Sequence, residues 1–167
     1  SDGTVLQSTP LNVTSKDISK MLQRYEILLE SKFKAHYGDK AIYATGKNLL
    51  SFQMASELIQ NFLKEQNKLV ENQTLSIESL EELLEDDLIV TVHGQPKKVH
   101  LKGFVDRIDR VDGKVRIIDY KSGVLKSENV KMTYKDGDSI SEKAMTPKFT
   151  FQLLIYSYLY KKKYNTL

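Results

Sequence analysis

The sequence predicts an α/β domain. Two long stretches with helical apolar periodicity come first, and a run rich in β-branched residues follows them. The turn dipeptide Asp112-Gly113 breaks that run, and a tyrosine-rich amphipathic segment closes the pattern. A chain of 167 residues is long enough for one domain with a sizeable core, expected to span 1–167.

Residues 1–13 read as a loose lead-in. Thr14 or Ser15 is placed to cap a helix that continues to about Tyr37, with Ile18, Leu22, Tyr25 and Leu29 on one stripe and Gly38 at its end. A second helix is expected from about Lys47 to Val70. Leu50, Met54, Leu58 and Phe62 recur every four residues, with Ala55, Ile59 and Leu63 beside them, so this helix is expected to be a main packing element. The stretch SIESLEELLEDD (76–87) fits either a strand with acidic interruptions or a short helix. LIVTV (88–92) reads as strand, and HGQPKK as a turn. Two further strands, VHLKGFVDRIDRV and KVRIIDYK, flank Asp112-Gly113 as a hairpin. Residues 122–147 form a long, weakly patterned connection, where function or mobility tends to sit. FTFQLLIYSYLYKKKY (149–164) reads as a final amphipathic helix, although its dense aromatics leave strand as an alternative.

Composition narrows the chemistry. Cysteine is absent, which excludes disulfides, zinc–thiolate sites and an iron–sulfur cluster in this segment. The same absence of cysteine fits a cytoplasmic protein, the expected location. No apolar run is long enough to span a membrane, and no signal-peptide pattern opens the given sequence. The net charge is +3, from 25 basic and 22 acidic residues. That is too mild to imply nucleic acid by itself, but Lys143, Lys148 and Lys161, Lys162 and Lys163 gather near the C-terminus.

The hairpin poses a physical problem. A two-residue turn at Asp112-Gly113 sets Asp109 opposite Arg116 and Asp106 opposite Asp119. Alternation then puts Phe104, Asp106 and Ile108 on one face with Ile117, Asp119 and Lys121. The Asp109–Arg116 pair falls on the other face, as a cross-strand ion pair of modest value. Opposed carboxylates, with Cβ atoms roughly 4.5–5.5 Å apart, resist joint ionisation unless a cation intervenes. Magnesium takes oxygen ligands and keeps several waters, so Asp106 and Asp119 with the backbone carbonyl of Tyr120 form a candidate metal site. Lys121 lies diagonally from Asp106, within reach of a metal-bound water or a phosphate oxygen, a set suited to metal-assisted phosphodiester hydrolysis. The plainer alternative is that either aspartate simply pairs with Lys121 or Arg107.

A second constellation follows. Gln152 and Tyr156 are one helical turn apart. Gln152 can bond a phosphate or a base edge, and Tyr156 can stack on a base or serve as a core-edge residue. Lys148 and the 161–163 run add attraction for a phosphate backbone, or a solvated face.

Taken together, GFVDRIDRVDGKVRIIDYKSG and FQLLIYSYLY resemble the RecB-type branch of the PD-(D/E)XK nucleases. The matching positions are Asp106 after Gly103-Phe104-Val105, Asp119 with Lys121, and Gln152 with Tyr156. TGKNLLSFQMASELIQNFL also looks like the helix that precedes this core in bacterial exonuclease subunits of the RecB/AddB type. The resemblance implies a restriction-endonuclease-like core, a mixed sheet flanked by helices. It implies magnesium-dependent cleavage of DNA, with manganese as a substitute, in break repair or recombination beside a fused or associated helicase. Asp106 and Asp119 would bind the ion, and Lys121 would orient the attacking water and stabilise charge on the phosphate. Gln152 and Tyr156 would shape the site and contact DNA.

The pattern also departs from that family. Relatives usually carry a further metal ligand, often histidine, on an upstream helix, and none of His36, His93 or His100 sits in that context. The chain is therefore expected to be a fragment beginning after that helix and ending early. The alternative is a degenerate, inactive nuclease fold that binds DNA or serves as a structural module. Glu81 is a candidate for an acidic position that some relatives have on the first strand.

Overall fold

The computed structural model describes residues 10–39, 43–124, 126 and 148–165. Their elements are β1 (Leu11–Val13), α1 (Ser15–Tyr37), α2 (Gly46–Asn72), β2 (Leu75–Val92), β3 (Gln95–Val111), β4 (Lys114–Ile118) and α3 (Lys148–Tyr164). The sheet has the order β1-β2-β3-β4. This is the expected α/β class with a restriction-endonuclease-like arrangement. The four described strands run antiparallel, so the parallel partner that a mixed sheet needs is not among the described residues. Most of the 122–147 connection, Lys143 included, also lies outside them.

The chain divides into two compact units. One comprises Leu11–Ser76 with Arg110–Lys114. Here α1 starts at a capping box: the Asp17 amide donates to the Thr14 hydroxyl at 3.4 Å, and the Thr14 amide donates to the Asp17 carboxylate at 3.1 Å. Thr14, not Ser15, is the cap. The helix ends at Gly38, whose φ of 84° suits a residue without Cβ. Ile18, Tyr25 and Leu29 are buried on the expected stripe.

Helix α2 departs from expectation. Leu50, Met54, Leu58 and Phe62 are 37–57% exposed. The row that contains the buried Leu63 packs instead, with Ser56 and Gln60 meeting the Tyr25 hydroxyl at 3.3 and 3.4 Å. A wide apolar face presents two rows, and the described part of this unit covers one of them. The lead-in also contributes more than expected, because Leu11–Val13 forms strand β1 and buries Val13. The hairpin tip belongs to this unit. Asp112 and Gly113 have φ of 49° and 79°, the paired positive values of a tight hairpin turn. The Asp112 carboxylate accepts from the Thr74 amide at 2.9 Å and from Gln73 Nε2 at 2.9 Å, and these bonds hold it below the usual carboxylate range.

The other unit comprises Ile77–Asp109 and the described residues from Val115 onward. Its core joins Leu84, Val105 and Ile108 to Tyr156, Leu159 and Tyr160 of α3. The ambiguous SIESLEELLEDD segment is strand, within β2. Its acidic interruptions are matched by tyrosines of α3. Tyr160 donates to Glu78 at 3.1 Å, Tyr158 donates to Asp86 at 3.3 Å, and Tyr164 donates to Glu82. Lys163 also reaches Glu82, at 2.8 Å. Burial raises the Glu82 pKa, but the bonds from Lys163, Ser79 and Tyr164 outweigh it and hold the carboxyl below its ordinary range. Burial, aided by Glu82, pushes the Tyr164 phenol well up. The expected HGQPKK turn is shorter than predicted: His93 and Gly94 make it, with φ of 51° and 75°, and strand resumes at Gln95.

Candidate active site

The hairpin register near the turn is the expected one. Arg116 grips Asp109 with two parallel bonds, Nε to Oδ1 at 2.8 Å and a terminal nitrogen to Oδ2 at 3.0 Å. The expected cross-strand pair is present, and the expectation of modest value is corrected by its burial. Asp109 is 0% exposed, and the nearly buried Arg107 approaches its Oδ2 at 2.6 Å. One carboxylate thus holds two guanidiniums, and its bonds raise the Arg116 pKa. Arg107, Ile108 and Asp109 are all buried in succession, so β3 is shielded on both sides here. Along the expected face of Phe104, Asp106 and Ile108, exposure falls from 60% at Phe104 to 0% at Ile108.

Strand β4 ends at Ile118. Asp119, Tyr120 and Lys121 therefore lie past its last residue, and side-chain contacts define their surroundings. The Tyr120 amide donates to Asp106 Oδ2 at 2.6 Å, which ties Asp106 to the peptide that Asp119 begins. Asp119 pairs with Lys121 and accepts from Gln152 Nε2 at 3.2 Å. The same Gln152 nitrogen donates to the Tyr156 hydroxyl at 2.6 Å. The Lys121 ammonium stands 5.3 Å from the Phe149 ring centroid, a cation–π contact. Asp119, Lys121, Gln152 and Tyr156 thus form one connected chain of contacts, with Asp106 bonded beside it. Lys148 is exposed at the start of α3 and takes no part in that chain among the described residues.

Tyr156 is 6% exposed, so its ring belongs to the core and is not available to stack on a base. Gly103 explains how it gets there. A Cβ on Gly103 would lie 2.3 Å from Tyr156 Cε1 and 2.8 Å from Cδ1. The glycine admits the ring against the strand. Sequence reasoning used Gly103 only as part of a pattern. A strand glycine with tyrosines in the following helix was the available signal for close approach.

The histidines have other surroundings. His36 contacts the Tyr37 ring, His93 forms the turn, and His100 pairs with Asp87 at 2.9 Å and Glu85 at 3.6 Å. Glu81 is exposed in β2 with a φ of 52°. No group of three or more His, Asp or Glu side chains arranged to hold a metal occurs among the described residues. The candidate donors from the sequence are two carboxylates, Asp106 and Asp119, linked through the Tyr120 amide. Hard oxygens of this kind suit a divalent cation that fills its remaining positions with water, carbonyls or substrate phosphate.

A sheet with Asp106 within β3, Asp119 and Lys121 just past β4, and α3 packed against it fits a restriction-endonuclease-like core. Residues 11–167 match the family model of the PD-(D/E)XK nuclease superfamily, and the chain belongs to that superfamily. Searches of curated proteins and of solved structures returned no match. Members of the superfamily generally hydrolyse nucleic acids with divalent metal ions. Among the described residues, no helix is long and apolar enough to cross a membrane.

Proposed function

We propose that this protein is a magnesium-dependent deoxyribonuclease, the exonuclease domain of a RecB-type helicase–nuclease acting in break repair or recombination. The observation that supports it best is the contact chain Lys121–Asp119–Gln152–Tyr156, with Asp106 bonded at the adjoining peptide. Asp106 and Asp119, with the Tyr120 carbonyl, hold the ion. When bound, it supplies a Lewis acid that polarises the phosphodiester and lowers the pKa of water.

The chain's own groups do the rest. Gln152 fixes the rotamer of Asp119, and the Tyr156 hydroxyl in turn fixes Gln152. Lys121 pairs with Asp119, and its ammonium would serve the attacking water and the phosphate oxygen. The Phe149 ring gives that ammonium an aromatic surface. Lys148 and the exposed Lys161 and Lys162 attract the DNA backbone without reading sequence.

A second reading, a catalytically inactive fold that binds DNA, is favoured by one observation: the donor set contains two carboxylates and no third acidic or histidine ligand among the described residues. One experiment separates the two. Degradation of single- and double-stranded DNA is followed with magnesium, manganese or chelator, in the wild type and in Lys121→Ala. The expected result is metal-dependent cleavage that Lys121→Ala lowers by at least about 100-fold, the scale of losing a transition-state charge contact. DNA bound without cleavage at any metal concentration supports the second reading.

A further inference from the structure

Asp119, Tyr120 and Lys121 follow the last residue of β4, so something other than regular strand pairing must set their position. The side chain of Tyr120 has the right connections. Its hydroxyl accepts from Arg107 at 3.3 Å. The other end of that guanidinium is held by Asp109 at 2.6 Å, and Asp109 is itself fully buried and gripped by Arg116. Meanwhile the Tyr120 backbone amide holds Asp106 at 2.6 Å. One residue thus links the ion triad around the buried Asp109 to the peptide that Asp119 begins and that Asp106 bonds.

We propose that Tyr120 is a positioning residue. Its phenol, tethered through Arg107 to the buried Asp109, fixes the Asp119–Lys121 segment and keeps the Tyr120 amide aimed at Asp106. The inference rests on the reading of Asp106, Asp119 and Lys121 as the active site. A buried, doubly paired carboxylate makes a rigid anchor, because moving it would strand two guanidinium charges. Tyr120 itself is 48% exposed, so removing its hydroxyl leaves the core packing in place.

The test is Tyr120→Phe, which keeps the ring and the backbone carbonyl. Three readouts are taken: amide hydrogen exchange at position 120 in metal-free protein, manganese binding without DNA, and the urea midpoint. Exchange at residue 120 is expected to speed up about tenfold. Manganese affinity is expected to fall about tenfold, the low end for groups that orient ligands. The urea midpoint should fall modestly, because the buried Arg107 loses one acceptor. Arg107→Lys, which keeps a charge beside Asp109 but shortens the reach to the phenol, should reproduce the exchange and binding changes. Unchanged exchange and manganese affinity in Tyr120→Phe would overturn the proposal. So would a lowered urea midpoint with manganese affinity intact, which is the signature of a purely structural contact. Lys121→Ala is run in parallel on DNA cleavage. If it cleaves like wild type, the active-site reading itself is overturned, and the exchange data then report a tether with no catalytic purpose.

Discussion

Replacing Gly103 by alanine puts one methyl group where the structure has least room. The new Cβ would stand 2.3 Å from Tyr156 Cε1 and 2.8 Å from Cδ1. Carbon atoms settle at about 3.5–4.0 Å, so the ring must retreat by roughly 1 Å. These atoms are the edge of a ring that is 6% exposed and packed with Leu84, Val105 and Leu159. Retreat therefore repacks the core, at about 1–3 kcal/mol for overpacking. Alanine also restricts the unfolded chain, which returns about 0.4–1 kcal/mol. The net expectation is a loss of about 1–2 kcal/mol. It is measured as a lower urea midpoint at unchanged m-value. Moving the ring also draws its hydroxyl from Gln152, now at 2.6 Å, and loosens the bond from Gln152 to Asp119. DNA cleavage should fall more than the loss of folded protein explains. Tyr156→Leu removes the obstructing ring edge, so the double variant should be more stable than the sum of the two single changes predicts. A Gly103→Ala protein with the wild-type urea midpoint would refute the close-approach argument.

Asp109→Asn leaves the buried Arg107 and its neighbour Arg116 without their shared anion, and it is expected to lose about 3–5 kcal/mol in urea unfolding. The Glu82 cluster sets two pH limits. The lowered Glu82 pKa adds stability that is fully present above the ordinary glutamate range, about 4.3, and is lost as pH falls through the folded value. The raised Tyr164 pKa works on the alkaline side, where stability falls as pH rises past the ordinary tyrosine value of about 10. Urea midpoints against pH should show both limbs, and Glu82→Gln should flatten the acid limb.

Local rules were legible wherever neighbours in sequence are neighbours in space. The Thr14–Asp17 cap, the stop at Gly38 and the Asp112-Gly113 turn all follow from short-range geometry. The ordered residues Asp106, Asp119, Lys121, Gln152 and Tyr156 were legible as a set. Of their contacts, the Asp119–Lys121 pair is the plainer alternative the sequence offered; the bonds of Gln152 to Asp119 and of the Tyr120 amide to Asp106 were not legible, because β4 stops one residue before Asp119 and side chains take over from strand pairing. Burial was the least legible property. Asp109 read as half of a modest cross-strand pair because nothing local reveals that Arg107 joins it inside the fold. The acids of SIESLEELLEDD hid a strand, because their tyrosine partners lie 72 to 82 residues further on. For α2, periodicity identified the helix and its apolar width but not which of two rows would be covered.

The most direct test of the account is calorimetric titration of the metal-free protein with magnesium, comparing wild type with Asp106→Asn and Asp119→Asn. One saturable site is expected, and each substitution should weaken it at least about tenfold by removing one of the two proposed charged oxygen ligands. Magnesium binding of wild-type strength in both variants would contradict it.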